Sequence, residues 1–170
     1  RALRAAGVPA DRLMGAGIVM PGPFGRTGLS GSGSDLAAWQ DVDAAAWFAR
    51  ALGGPVFVEN DANAAAMAER VSGVAQGLES YAFLYFGRGL GLGIVHRGRL
   101  MAGAFGNAGE IGHVPVPAAG GCVPLEEAVS RLSAERALAA AGRRAESADD
   151  LARLHAAGDA ALAGWLAAAA

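Results

Sequence analysis

The feature that most constrains the fold is the stretch VFVENDANAAAMAE, Val56 to Glu69, where an apolar run passes into an Ala-rich segment with only Glu59, Asn60 and Asp61 between them. PVFVE has the length and composition of a strand, and DANAAAMAERVSG that of a helix, so strand must turn directly into helix at three polar residues. The same alternation starts upstream. LMGAGIVM, Leu13 to Met20, is a short apolar run closed by PGP, and after the Gly/Ser loop GRTGLSGSGSD comes DVDAAAWFARALGG, with acids at its start and Gly-Gly at its end. Downstream, YAFLYF, GLGIVHRG and RLMAG read as strands of a hairpin or meander. From about Leu125 the pattern is helical: LEEAVSRLSAERALAAAG, then ESADDLARLHAAG with Ser147 and Asp150 in a capping arrangement, then an Ala-rich tail. Strands alternating with helices predict an α/β fold of layered sheet and helices, with a helical C-terminal part.

Composition limits what such a domain can do. With 170 residues, 53% hydrophobic and 18% charged, residues 1–170 suit one globular domain, without internal repeat or linker. The net charge of -2 offers no general attraction to nucleic acid or anionic lipid, so DNA would be reached only through a domain outside this chain. All 14 basic residues are arginines, which excludes a Schiff-base lysine and a Walker A lysine within the chain. The single cysteine, Cys122, fits a reducing, cytoplasmic setting. The tail carries Asp159 and reads as an amphipathic helix, not a membrane span. The chain begins without Met, in what reads as the end of a helix, RALRAAG, and is expected to be a piece of a longer protein.

Three polar constellations stand out. At the junction, Asn60 or Asp61 could cap the following helix; alternatively, a carboxylate at the carboxyl end of a strand could take a proton from a bound hydroxyl. The glycine run FGRGLGLGIV does not fit the dinucleotide fingerprint and reads either as a tight turn or as a hairpin whose backbone approaches a ligand. In GNAGEIGH, Glu110 and His113 would share one face of a helical turn, as a self-satisfied pair or as acceptors for hydroxyls, and Glu126 could converge on them. Two such acids could serve a glycosidase, but the Asn-Asp pair and the glycine hairpin would then have no role.

GIVMPGP, VENDANAAAMAE, YFGRGLGLGIVHRGRL, GNAGEIGH and LEEAVS occur in the order and near the spacing of the ROK family, and the chain resembles that family, which holds bacterial sugar kinases and sugar-responsive repressors. The resemblance implies the sugar-binding portion of an actin-like, ribonuclease-H-like ATPase fold. It implies a sugar site of Asn60, Asp61, Glu110, His113 and Glu126, with Gly33 and Ser34 of the long loop as further contacts, and Asp61 as general base in a kinase. The hairpin residues Gly87, Arg88, Gly89 and Gly91 match the family's second phosphate loop.

The departures are equally informative. Family kinases carry a threonine where Arg88 stands, and most members insert a cysteine-rich zinc loop where VPVPAAGGCVP is short, so no zinc and no other metal site is expected. The short loop, PGPFG and LAAWQ look more like the repressors. The effector domain of a sugar-responsive transcriptional regulator is therefore placed ahead of an ATP- and magnesium-dependent kinase of a hexose or N-acetylhexosamine. A sugar-binding module with neither output is the third reading. A neutral, hydroxyl-rich sugar is the expected partner, no membrane is, and the quaternary state is expected to be a homo-oligomer.

Overall fold

The computed structural model describes residues 5–22, 42–104, 106–118 and 120–170. Strands β1 (Ala16–Met20) and β2 (Val56–Asn60) pair in parallel, with Met20 opposite Asn60. Helix α1 (Ala44–Leu52) precedes β2. The Asp43 side chain accepts from Ala46 N at its start, and Gly53, in the left-handed conformation at φ 70°, ends it, as its acids and Gly-Gly foretold. Helix α2 (Asp61–Ser72) begins on the residue after β2 ends.

Strands β3 (Tyr81–Phe86), β4 (Leu90–His96) and β5 (Arg99–Leu100) form the antiparallel meander expected from sequence. Arg97 and Gly98 both hold positive φ, the backbone of a tight two-residue hairpin turn. α2 lies on β4 at a distance only glycine allows: a Cβ at Gly93 would fall 2.5 Å from Ala62 O and from Ala66 Cβ, and one at Gly91 would fall 2.8 Å from Ala62 Cβ. Tyr81 adds a hydrogen bond from its hydroxyl to Ala66 O at 2.7 Å.

A short 3-10 turn (Ile111–His113) leads to an antiparallel ribbon, β6 (Pro115–Ala118) and β7 (Gly121–Pro124), in a segment the sequence presents as a loop. Proline is tolerated there because a two-stranded ribbon leaves each strand one unpaired edge. The helical run after Leu125 is not continuous. It divides into α3 (Leu125–Ala128) and α4 (Arg131–Ala140), because Ser130 leaves the helix to cap α4 in a reciprocal arrangement with Ser133. α5 (Ala148–Ala156) opens on the expected Ser147–Asp150 capping box, and Asp159 caps α6 (Ala160–Ala169). Leu138, Ala145 and Leu162 form the core of this part, with Leu151, Leu154, Ala161 and Trp165 packed on it. Among the described residues no helix is long and apolar enough to cross a membrane.

Candidate functional site

The strand–helix junction settles first. Asn60, 8% exposed, caps α2: its Oδ1 accepts from Ala62 N at 2.8 Å and Asn63 N at 3.2 Å. That fixes which way the amide faces. Its Nδ2 then points away from the helix and donates to Glu110 Oε1 at 3.2 Å, so one side chain both caps α2 and reaches the 3-10 turn. Asp61 is not needed as the cap. Its Oδ1 accepts from Ala62 N at 2.9 Å, and among the described residues its other oxygen has no hydrogen bond.

Glu110 stands at the start of the 3-10 turn, three residues before His113, and its Oε2 lies 3.6 Å from His113 Nε2, an ion-pair distance when the ring is protonated. Burial raises the Glu110 carboxyl above its ordinary value; His113 lowers it, and the charges of Asp61 and Glu126 raise it further. Asp61, His113 and Glu126 thus all lie close enough for their charges to act on Glu110. Glu126, on α3, brings Oε2 to where a Cβ on Gly89 would be 2.7 Å away and one on Gly112 3.2 Å away.

The hairpin between β3 and β4 closes tightly, with Gly87 N donating to Gly89 O at 3.0 Å. The carbonyls of Gly87 and Arg88 accept from Arg131 N and Leu132 N in the first turn of α4, at 3.2 and 3.3 Å. Arg88 is exposed, Gly89 adjoins Glu126, and Gly91 faces α2. Gly33 and Ser34 lie outside the described residues. Cys122 is exposed on β7, and among the described residues no three His, Cys, Asp or Glu side chains are grouped to hold a metal ion.

Three residues had no role assigned from sequence: Glu59, seen there only as a polar residue of the junction, Asn63 and Gly22. Glu59 Oε1 accepts from Asn60 N and from Asn63 Nδ2, each at 2.9 Å. Gly22 is the third: a Cβ there would fall 2.4 Å from Glu110 Oε1 and 3.0 Å from Asn60 Nδ2. A second Asn in the first turn of an Ala-rich helix, close after a Glu, was the signal available for the first two.

The model of the ROK family matches residues 4–162. The chain belongs to the ROK family. The xylose repressor of Bacillus spizizenii is 31% identical over 104 residues, covering 61% of this chain and 27% of the repressor. The ROK hexokinase from Thermus thermophilus superposes with a TM-score of 0.69 at 38% identity, covering 99% of this chain and 57% of the hexokinase. A ROK glucokinase from Streptomyces griseus, in complex with glucose and AMPPNP, superposes with a TM-score of 0.59 at 27% identity, over 74% of this chain and 47% of that one. The fold is thus α/β of the actin-like ATPase type, and the chain spans about a quarter of the repressor's length and just over half of the hexokinase's. ROK relatives of this chain include both repressors and sugar kinases.

Proposed function

We propose that this chain is the sugar-binding portion of a ROK protein, with Asn60, Asp61, Glu110, His113 and Glu126 as the sugar site. The observation that carries the reading is the hydrogen bond from Asn60 to Glu110, which ties the β2–α2 junction to the 3-10 turn and leaves acceptors of Glu110, Asp61 and Glu126 in one region. Several carboxylate oxygens beside an imidazole suit a neutral polyol, whose hydroxyls can each donate to an acid. An anionic ligand would add to the repulsion that already raises Glu110. By calorimetry, a neutral monosaccharide should bind, and Glu110→Ala should weaken it by about 1–3 kcal/mol, as expected when buried partners are left unpaired. Unchanged affinity in that variant would remove these residues from the site.

For the output, the regulator is the reading we favour, on the side chain at position 88. An arginine stands where the family's kinases place a threonine, and the turn around it is tied by its carbonyls to α4. The kinase reading is favoured by one observation of its own, the Asp61 carboxylate oxygen that has no hydrogen bond among the described residues, at the carboxyl end of β2. With ATP and magnesium supplying the phosphoryl group and its charge compensation, Arg88 would meet phosphate and Asp61 would take the proton of the sugar hydroxyl. Asp61→Asn separates the two. A kinase should keep its sugar affinity and lose turnover about 10²–10⁴-fold; a regulator should lose affinity and need more sugar to release DNA. Sugar-dependent ATP consumption by the wild type would overturn the preference for the regulator.

A further inference from the structure

Helix α2 buries three residues, Ala62, Asn63 and Ala66, and the odd one is Asn63. It is 1% exposed, and its Oδ1 is buried without a hydrogen-bond partner among the described residues. An orphan amide oxygen costs stability, and asparagine is a poorer helix former than alanine, so packing alone would favour a small apolar residue. What Asn63 does with its other atoms supplies the reason. Its Nδ2 holds Glu59 Oε1, which also accepts Asn60 N, while its backbone N–H holds Asn60 Oδ1. Asn60 is therefore gripped from both sides, by Glu59 at its main chain and by the first turn of α2 at its side-chain oxygen. Its Nδ2 has one direction left, toward Glu110.

We propose that Glu59 and Asn63 form a positioning clamp that orients the Asn60 amide, and through it the Glu110 carboxylate, for sugar binding. Neither residue contacts the sugar. The inference rests on the sugar-site reading above, but the clamp has a consequence that needs no sugar. With the clamp removed, the cap bonds from Ala62 N and Asn63 N remain, but the Asn60 main chain loses the hold of Glu59, so the amide shifts relative to Glu110 and that hydrogen bond weakens.

The test compares Asn63→Ala, Glu59→Ala, Glu59→Gln and Glu110→Ala with wild type, by calorimetry with a panel of neutral monosaccharides, by thermal unfolding and by NMR of the Asn60 side-chain amide without sugar. Asn63→Ala should hold its melting temperature within a few degrees yet bind sugar about 10-fold more weakly, the scale of one hydrogen bond to a charged group. Glu59→Gln keeps an acceptor oxygen and should bind within about 2-fold of wild type, whereas Glu59→Ala should behave like Asn63→Ala. Wild-type affinity in Asn63→Ala, when Glu110→Ala is weakened, overturns the clamp and spares the site. If Glu110→Ala also binds normally, the sugar-site reading fails, and the clamp then stands or falls on the amide. Its resonance should shift and its hydrogens exchange faster in Asn63→Ala. An unchanged Asn60 amide would sink the clamp whatever the sugar result.

Discussion

Helix α2 meets the β3–β4 hairpin through Ala62 and Ala66 against Gly91 and Gly93, whereas α4, α5 and α6 meet one another through Leu138, Leu151, Leu154, Leu162 and Trp165. At the first contact two backbones nearly touch, and little apolar area is withdrawn from water. At the second, large side chains such as Leu138 and Leu162 are withdrawn, and each such burial adds hydrophobic stabilisation. The helical contact therefore works through side-chain burial, and the glycine contact through close fit, because it sets the position of the helix whose first turn holds Asn60 and Asp61.

Leu138→Ala should strike the stability side hardest. Leu138 is fully buried, and its truncation should cost about 2–5 kcal/mol in denaturant unfolding while leaving the sugar affinity of the folded fraction unchanged. A loss of affinity there would blur the division. Gly93→Ala should cost less, about 1–3 kcal/mol, because the added methyl meets the carbonyl of Ala62, which cannot swing aside as a side-chain end can. Unlike Leu138→Ala it should also lower sugar affinity, and unchanged affinity would mean α2 can be displaced without consequence for the site. Gly22→Ala reverses the pattern. The atom it meets most closely is the end of the flexible Glu110 side chain, so stability should stay within about 0.5 kcal/mol while sugar affinity falls severalfold.

The smallest effect is one of pH. In the unfolded chain Glu110 titrates near its ordinary 4.5, and in the fold, chiefly through burial, above it. As pH rises through that window the native state holds on to its proton longer, so this group's contribution to stability declines with rising pH. Glu110→Gln keeps an acceptor for Asn60 without the charge. Relative to wild type it should gain stability as pH rises above about 4.5, and lose that gain again as pH falls, in urea unfolding at stepped pH. A constant difference across the series would show that burial of this carboxylate has no energetic consequence.

Much of this was legible from local signals. The strand YAFLYF occupies Tyr81–Phe86, and Ser147 caps α5 together with Asp150, because alternation and capping are properties of a few neighbouring residues. The α2 junction was legible as an alternative, cap or site residue; what could not be read was that Asn60 caps α2 and bonds Glu110 with the same side chain, since that depends on a residue fifty positions away. The β6–β7 ribbon was hidden by the prolines and glycines that ordinarily signal a loop. The break at Ser130 was hidden inside a pattern that suits a continuous helix. Gly91 and Gly93 gave a signal of close approach without naming what approaches, and the partner is α2.

The two hydrogen bonds from Arg131 N and Leu132 N to the carbonyls of Gly87 and Arg88 join the hairpin tip to the first turn of α4. Glu126, one short helix earlier, rests against Gly89 on the same tip. In mechanical terms the tip is a pinned joint, not a free end: it is fastened to α4 and braced by α3. A displacement of the tip must therefore strain its hydrogen bonds to the first turn of α4.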